Sequence, residues 1–359
     1  MSSDAPTRAS RRSRSAPTIS DVAKHAGVSA MTVSRVINGE ANVRPSTRDA
    51  VNAAIAHLRY APNRAARSLA GAGQVRIGLL YSNPSAGFLS EFLLGSLEQA
   101  SRSDVQMVVE KCDLSDNPAK VIEHLVSGGI DGIVLPPPLC EAPDLLAILE
   151  DAAIPTVAVG TSLPSQDQLA IRIDDKAAAA EMTRHIMELG HRRIGFIKGN
   201  PNLSASAQRL EGYREALAAA GVPVDPELIV DGLFSYRSGL DAAEQLLDLD
   251  DPPTAIFSSN DDMAAATVAT AHRRGLDVPS DITVCGFDDT TLATTIWPEL
   301  TTIHQPIADM ARAAVELLVA TIRTQKGRTE SKDQRVLDYI LIRRQSDAPP
   351  RRRPRVRTA

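Results

Sequence analysis

Residues 28–38 carry hydroxyl, guanidinium and amide side chains on a short predicted helix and contain no carboxylate. Ser29 and Thr32 lie where that helix would begin, so their hydroxyls and the free N–H groups of the helix could meet a phosphate. Arg35 can donate two parallel hydrogen bonds to the O6 and N7 atoms of guanine. Donors without negative charge are typical of a helix that enters the major groove of DNA, where flanking phosphates repel carboxylates.

Two helices joined by a glycine turn would position these donors. The first is predicted over Ile19–Ala26, with Thr18 as its N-cap and Gly27 at its end. The second is predicted over Ala30–Ile37, with Ser29 as its N-cap. A third is predicted from about residue 45 to residue 58, so residues 18–61 form an all-α helix-turn-helix domain. Apolar residues at helical spacing would pack the three helices together: Val22, Ala23, Ala26, Val28, Val33, Val36, Ile37, Val51, Ile55 and Leu58.

Charge is distributed unevenly along the 359 residues. Residues 1–71 hold 11 Lys and Arg against 4 Asp and Glu, a net charge of +7, and residues 343–359 hold 7 against 1. The long stretch between them is acidic enough to give the whole chain a net charge of −5. A basic front on an acidic body predicts that the front binds a polyanion and that the body does not. The Arg-rich ends, residues 1–17 and 346–359, are expected to be disordered.

From Val75 onward, buried-strand patterns alternate with helical ones, which predicts an α/β body with parallel sheets covered by helices. About 270 residues of this pattern exceed one hydrophobic core, so two lobes are expected. The boundary is predicted near Asp174–Asp175. The first lobe would then comprise about residues 75–174 plus 305–330, and the second about 175–302 plus 331–345. The returning parts are a predicted helix, Ile307–Thr324, and a predicted strand, Val336–Arg343.

Signatures of an enzyme or of a membrane protein are missing from the sequence. The motifs G-x-S-x-G, G-x-x-x-x-G-K-[ST] and H-E-x-x-H do not occur, and no apolar run approaches the roughly 18 residues of a membrane span. Cys112, Cys140 and Cys285 are scattered, which favours buried thiols in a reducing cytoplasm over disulfides or a metal site. We therefore expect no catalytic residue, no metal and no cofactor, and a cytoplasmic location without a secretory signal.

The stretch TISDVAKHAGVSAMTVSRVINGEANVRPSTRDAVNAAIAHLRYAPNRAARSLAG, Thr18–Gly71, resembles the head of the lactose-repressor (LacI/GalR) family of bacterial transcription regulators. The likeness extends to about Arg344. In that family, Ala30 and Met31 match base-reading positions and Arg35 matches a base-contacting arginine. Neither Ala30 nor Met31 can form a hydrogen bond through its side chain, so the lactose operator sequence is not implied. The other matches are phosphate or sugar contacts at Ser34, Asn38, Asn42 and Tyr60, and Thr18, Ser29 and Thr32 at the helix starts complete the predicted set.

Residues 62–73, PNRAARSLAGAG, resemble the hinge helix of this family. Asn63 can cap a helix of about eight residues, which is marginally stable alone in water. The resemblance implies that this helix folds on DNA, that Ala66 lets two copies cross closely, and that Leu69 wedges into the minor groove and bends the site. A plain linker with Leu69 packed locally is the alternative.

The body resembles the type I periplasmic sugar-binding proteins, whose two lobes hold a small molecule in a cleft at the carboxyl ends of their strands. By this resemblance, Arg209 matches a ligand-binding arginine, Asp261 a pocket aspartate and Phe234 a ring-stacking aromatic residue. Phe88 is a candidate from the other lobe. Such a set suits a sugar ring. The alternatives are Arg209 on a helix surface, Asp261 as a helix N-cap only, and Phe234 in the core.

Two further positions bear on the same cleft. Gly160 matches a pocket aspartate of the lactose repressor, which leaves the polar contacts of the first lobe open. Asp288–Asp289 follows a strand and is expected to support the backbone and the hinge between the lobes rather than catalysis.

The resemblance implies a homodimeric repressor of carbohydrate-utilisation genes that binds a palindromic double-stranded DNA operator and is released by a small sugar effector. A repressor that depends on a purine-like corepressor is the alternative within the family. A solute-binding protein with no role on DNA is the alternative outside it.

Overall fold

The structure is a computed structural model, and it describes residues 18–37, 43–58, 74–82, 85–114, 117–325 and 333–351. The chain divides into two compact units, Met1–Gln74 and Val75–Ala359, which we call the head and the body. None of the helices in the described ranges is both long enough and apolar enough to span a bilayer.

Three helices form the head: α1 (Ile19–Ala26), α2 (Ala30–Ile37) and α3 (Pro45–Leu58). Their bounds confirm the predicted helix-turn-helix pattern. The helices meet around a small apolar core, because each presents apolar residues at helical spacing to the other two. The buried members of this core are Val22, Ala23, Val33, Val36, Val51 and Ala54, with Ile19, Ala26, Val28, Val43, Ile55 and Leu58 packed around them.

The predicted caps of the head helices are present. Asp21 N donates to Thr18 Oγ1 at 3.4 Å, and Thr18 N donates to Asp21 Oδ2 at 2.8 Å, a reciprocal capping box at the start of α1. Gly27 ends α1 in the left-handed region at φ 67°, where a residue without a Cβ is favoured. Thr32 N donates to Ser29 Oγ at 3.1 Å, which caps α2.

The body begins with strands and helices that build its first sheet. In chain order these are β1 (Arg76–Tyr81), α4 (Ala86–Arg102), β2 (Gln106–Lys111), α5 (Pro118–Ser127), β3 (Gly132–Leu135), α6 (Pro143–Asp151), β4 (Thr156–Val159) and β5 (Leu169–Arg172). The strands β1 to β5 and a later strand, β11 (Gln334–Val336), form one parallel sheet of six strands. Their order in the sheet is β11–β5–β4–β3–β1–β2. The central strands are buried on both faces, which explains their uninterrupted apolar sequences.

A second sheet follows in the same style. Its elements are α7 (Asp175–Glu188), β6 (Ile194–Ile197), α8 (Ser204–Ala219), β7 (Ile229–Val230), α9 (Tyr236–Leu247), β8 (Ala255–Ser258), α10 (Asp261–Arg273), β9 (Thr283–Cys285) and α11 (Thr291–Thr295). The four strands are parallel in the order β7–β6–β8–β9. We call each sheet with its helices a lobe, the first and the second.

The chain crosses between the lobes three times. It crosses after β5, again between β10 (Thr302–His304) and α12 (Ile307–Gln325), and again between β11 and β12 (Ile340–Ile342). Helix α12 packs against α4 and strands β3, β4 and β5 of the first lobe, and β12 pairs antiparallel with β10. These crossings place the carboxyl ends of both sheets at one cleft.

The predicted strand Val336–Arg343 is wrong in its extent. The structure has two short strands there, β11 and β12, and β11 pairs with β5 through Gln334 and Ala170 in the first sheet. Residues near 334 had been expected to return to the second lobe. The pairing with β5 places β11 in the first lobe. A local sequence pattern could not show this, because strand order depends on contacts with distant segments.

The predicted disorder from residue 346 onward is also wrong for residues 346–350. Ser346 is fully buried, and its backbone oxygen accepts a hydrogen bond from Val284 N at 2.9 Å. His185 Nε2 lies 2.8 Å from Asp347 Oδ2, and His191 Nε2 lies 2.9 Å from the oxygen of Ala348. These contacts with the second lobe outweigh the disorder-prone composition of the segment.

Candidate nucleic-acid interface and ligand cavity

Helix α2 turns a polar and exposed face outward. Ala30, Met31 and Arg35 are exposed, whereas Ser34 and Thr32 are half-buried. Met31 is 66% exposed, although methionine is usually buried. Arg35 Nη2 lies 3.8 Å from Met31 Sδ, one helical turn away, so the two predicted base-reading side chains form one surface.

The hydroxyls at the helix starts are engaged within the head. Ser29 Oγ lies 2.9 Å from Thr32 Oγ1 in addition to accepting from Thr32 N. Thr18 Oγ1 donates to Asp21 Oδ2 at 2.7 Å, and the backbone and side-chain hydrogen bonds from Thr18 lower the pKa of Asp21. The hydroxyls therefore hold the helix starts in shape, and their lone pairs and the neighbouring helix N–H groups define the polar end of this surface.

Six of the predicted DNA-contact residues lie outside the described residues. They are Asn38, Asn42, Tyr60, Asn63, Ala66 and Leu69. The predicted loop contacts and the predicted hinge helix therefore stay predictions.

The body holds a cavity between its two lobes, with about 600 Å³ of empty space when its open mouth is included. The first-lobe wall consists of Ser85, Phe88, Pro137, Pro138 and Gly160. The second-lobe wall is richer in polar groups and includes Asn200, Arg209, Asn260 and Asp288, with Gln305 at a crossing between the lobes. Phe234 and Leu233 also line it. Three of the four predicted ligand residues, Phe88, Arg209 and Phe234, are thereby brought together.

Arg209 is the centre of the second-lobe wall. Although arginine is charged, this residue is only 5% exposed. Its Nε donates to Asp175 Oδ1 at 2.7 Å, and its Nη1 donates to the backbone oxygen of Ser259 at 2.5 Å. The guanidinium also stacks 3.6 Å from the centre of the Phe287 ring. Helix α8 thus presents a rigid guanidinium whose orientation is set before any ligand arrives.

Asp288 faces the same guanidinium from the end of β9. Its Oδ1 lies 3.7 Å from Arg209 Nη1 and accepts a hydrogen bond from Gln305 Nε2 at 2.6 Å. Burial raises the pKa of Asp288 well above its ordinary value, and the Arg209 guanidinium opposes this shift. The sequence indicated backbone support for this residue, yet Asp288 lines the cavity. Its position just after a parallel strand was the signal that could have identified it.

Phe234 reaches the cavity through an unusual backbone conformation. Its φ is 57°, and its ring lies across Gly199, where an added Cβ would stand 2.0 Å from Phe234 Cζ. Asn260 Nδ2 donates to the backbone oxygen of Phe234 at 3.1 Å and holds this conformation. Phe88, on α4, stacks on Phe92 with ring centres 6.0 Å apart and lines the cavity from the opposite lobe.

Asp261, the fourth predicted ligand residue, lies behind the wall and does not line the cavity. It is fully buried, and its carboxylate accepts hydrogen bonds from Thr302 Oγ1 at 2.7 Å and from Thr290 N at 2.8 Å. Burial raises its pKa to about 7. The capping role belongs to its neighbour Asn260, whose Oδ1 accepts from Met263 N at 3.0 Å, and Asn260 also faces the cavity.

Polar bridges also join the two lobes. Ser85 Oγ donates to Asp262 Oδ2 at 2.6 Å. Ser204 N donates to Glu141 Oε2 at 2.6 Å, and Ser162 N donates to Ser204 Oγ at 2.9 Å. The sequence gives no signal for these residues, because each bridge joins segments that lie far apart in the chain.

Two stretches of the chain match known families. Residues 18–63 match the bacterial regulatory proteins of the lacI family, and residues 183–346 match the periplasmic binding protein-like domain. The chain is 35% identical over 304 residues to catabolite control protein A of Priestia megaterium, which covers 84% of this chain and 91% of that protein.

Solved structures give the same result over nearly the whole length. The complex of the transcriptional regulator CelR with cellobiose matches with a TM-score of 0.71 and 33% identity, covering 92% of this chain and 99% of that one. The lac repressor dimer bound to operator and the anti-inducer ONPF matches with a TM-score of 0.73 and 27% identity, covering 93% and 100%.

A helix-turn-helix head with a periplasmic-binding-protein-like body defines a class of DNA-binding regulators. The chain belongs to the lacI family of bacterial transcriptional regulators. It is a DNA-binding transcriptional regulator, as the sequence predicts, and its relatives are regulators rather than enzymes. The alternative of a solute-binding protein with no role on DNA does not hold, because the head itself matches the family.

Proposed function

We propose that this regulator is a repressor that binds a near-palindromic operator as a homodimer and is released when a small sugar occupies the cavity. Its place of action would be the nucleoid in the cytoplasm. The pair formed by Arg209 and Asp288 carries the proposal for the sugar. No hydrogen bond from the described residues reaches Arg209 Nη2 or Asp288 Oδ2, although both residues line the cavity. A sugar hydroxyl can accept from the first group and donate to the second.

Two aromatic residues complete the proposed sugar site. Phe88 and Phe234 approach the cavity from opposite lobes. Flat apolar faces pack well against the C–H face of a sugar ring, while the hydroxyls at its rim need the polar groups of the second lobe. Two lobes that contact one ligand are pulled together by it, and this closure is the proposed signal to the head. A coupling free energy of about 1–3 kcal/mol is enough for a 5- to 150-fold change in operator affinity.

The exposed face of α2 is the proposed reader of the operator. Arg35 would contact a guanine edge, and Ala30 and Met31 would lie against thymine methyl groups or leave space. The residues outside the described ranges keep their predicted roles in this proposal, with Leu69 as the minor-groove wedge. We expect Arg35→Ala to weaken operator binding by about 1–3 kcal/mol and to relax specificity at one base pair. Equal losses on operator and on random duplex in a salt-controlled gel shift would contradict this role.

An exposed apolar surface on the first lobe supports the homodimer. Leu94 and Leu97 on α4 are 66% and 49% exposed, and the neighbouring β2 is an edge strand that carries the exposed Val109. Apolar side chains beside an unpaired strand edge are typical of a protein interface. We propose that a second copy covers this surface. Sedimentation of Leu94→Glu against the wild type tests the proposal, and a variant that stays dimeric would contradict it.

A gel shift on the DNA upstream of its own gene, with a panel of neutral sugars, tests the main proposal. We expect one sugar to release the wild-type protein from the fragment and to have no effect on Arg209→Ala or Arg209→Lys. Arg214 is exposed on the same helix, so Arg214→Ala is the matched control and should respond like the wild type. Release of the two Arg209 variants by the same sugar would refute the cavity assignment.

A purine-like corepressor is the second candidate, because Phe88 and Phe234 would also hold a flat base. The two candidate ligands predict opposite effects on operator binding. A purine would tighten operator binding, whereas an inducing sugar would weaken it, so the same gel shift with adenine, guanine and hypoxanthine separates them.

A further inference from the structure

We infer that the cavity takes an uncharged polyhydroxyl ligand and rejects phosphorylated ones, because the chain's own carboxylates already flank Arg209 and three of the helix starts at the site. The inference rests on the proposed effector site and narrows its ligand class. Sugars and sugar phosphates are both plausible effectors on composition alone, so the distinction has to come from charges in and around the walls.

The first observation concerns the guanidinium. Arg209 is the one cationic side chain among the described residues that line the cavity. Asp175 holds its Nε at 2.7 Å, and Asp175 is itself buried and accepts a hydrogen bond from the hydroxyl of Ser162. Asp288 lies 3.7 Å from its Nη1. One positive charge therefore faces two carboxyl groups before a ligand binds, and a phosphate would have to compete with both.

The second observation concerns the helix N-termini, which commonly attract phosphates. Three of the helices that begin near the cavity have a carboxylate at their start, whereas α9, which begins just after the lining residue Phe234, is capped by Ser235. Glu141 accepts from Ser204 N at the start of α8. Asp262 accepts from Ser85 Oγ, the cap of α4, and lies with Asp261 in the first turn of α10. The dipole of each of these three helices therefore stabilises an internal anion and attracts an external anion less strongly.

The third observation concerns the opposite wall. Phe88, Pro137 and Pro138 offer no charged group, and Gly160 cannot readily gain one by substitution. Its φ is 74°, and an added Cβ would lie 3.0 Å from Pro137 Cγ. A phosphate carries about −1.5 to −2 charges at pH 7, and it would lose hydration against this wall without compensation.

A neutral sugar meets none of these penalties. Its hydroxyls can accept from Arg209 Nη2 and donate to Asp288 Oδ2, so the same carboxylates that repel a phosphate are acceptors for the sugar. Asn200 and Asn260 add amide groups to the second-lobe wall. The polar wall thus suits a ligand that both donates and accepts hydrogen bonds but carries no charge.

Titration calorimetry on the full-length protein at about pH 8, with inorganic phosphate and with glucose 6-phosphate as probes, tests the inference. We expect no binding of either probe to the wild type at millimolar concentration. Asp288→Asn should bind phosphate at least about tenfold more tightly, because it removes a competing carboxyl group, whose ionised form the Arg209 guanidinium favours, and retains an acceptor for Gln305. Asp262→Asn is a second variant with a smaller gain. Asp250 is exposed, so Asp250→Asn is the matched control and should behave like the wild type.

Two results would overturn the inference. One is phosphate binding to the wild type that Arg209→Lys abolishes. The other is failure of both folded variants, Asp288→Asn and Asp262→Asn, to gain any phosphate binding. A failure of the proposed function shows elsewhere, as the absence of any sugar or purine that changes operator binding.

Discussion

The two walls of the cavity offer a ligand different surfaces. The second-lobe wall presents a guanidinium, a carboxyl group and amides, each held by hydrogen bonds to neighbouring groups. The first-lobe wall presents an aromatic ring, two prolines and a glycine, and the hydroxyl of Ser85 is engaged with Asp262. Specific recognition therefore belongs to the second lobe, while the first lobe contributes shape and apolar contact.

The difference also separates ligand binding from lobe closure. The strongest polar links between the lobes, Ser85 to Asp262 and Glu141 to Ser204, do not involve a ligand. A ligand that binds firmly to the second lobe needs to add only apolar contact with the first to shift the balance between open and closed forms. Four substitutions test this contrast between the two walls.

The largest effect is expected for Arg209→Ala. The change leaves the buried Asp175 and Asp288 without their cation, and breaking a buried ion pair in this way costs about 3–5 kcal/mol. Urea unfolding of the full-length protein measures it. The exposed Arg214→Ala on the same helix should cost less than about 0.5 kcal/mol. Equal costs for the two variants would mean that Arg209 does not hold the second-lobe wall together.

A pH effect on stability should arise behind the second-lobe wall. Burial raises the pKa of Asp261 from 3.8 to about 7, so the folded protein binds this proton more tightly than the unfolded chain. The contribution of Asp261 to stability is therefore fully present below about pH 4 and is lost as the pH rises to about 7. Asp261→Asn should flatten this part of the profile and raise stability at pH 8 by about 1–3 kcal/mol. A profile that keeps its slope in Asp261→Asn would exclude Asp261 as the source.

A smaller effect is expected on the first-lobe wall from Gly160→Ala. Gly160 and Gly221 both have positive φ, 74° and 65°, but an added Cβ would meet Pro137 Cγ at 3.0 Å at the first and nothing within 4 Å at the second. Gly221→Ala therefore measures backbone strain alone, about 1 kcal/mol, and Gly160→Ala should cost about 1 kcal/mol more. Thermal unfolding compares the two. An equal loss of stability in both variants would show that the contact with Pro137 does not destabilise the Gly160→Ala variant.

The smallest effect on stability is expected for substitutions in the polar bridges between the two lobes. Ser204→Ala removes the hydroxyl that accepts from Ser162 N and contacts Glu141. We expect this change to destabilise the closed form by about 0.5–1.5 kcal/mol. A double-mutant cycle with Glu141→Gln, read as effector affinity, isolates the coupling between the two residues. Strictly additive losses would show that this bridge does not contribute to closure.

Much of the architecture could be predicted because it depends on neighbours in the chain. Thr18 and Asp21 are three residues apart, as are Ser29 and Thr32, so both caps follow from short motifs. Buried parallel strands have the uninterrupted apolar sequences that identify them. Strand order could not be predicted in this way, because β11 pairs with β5 from more than 160 residues away. Nothing in the three-residue segment itself indicates that partner.

The cavity shows the same division at the level of single residues. Arg209 could be assigned to the cavity through the resemblance to the sugar-binding family, but Asp261 and Asp288 both follow strands and look alike in sequence. Packing separates them: Thr290 and Thr302 enclose Asp261, whereas Asp288 lies open to the cavity beside Arg209. Short-range hydrogen bonds and periodicity are encoded in adjacent residues and can be read from them. The burial and charge environment of a carboxylate depends on residues far away in the chain, and it exists only once the lobes have packed.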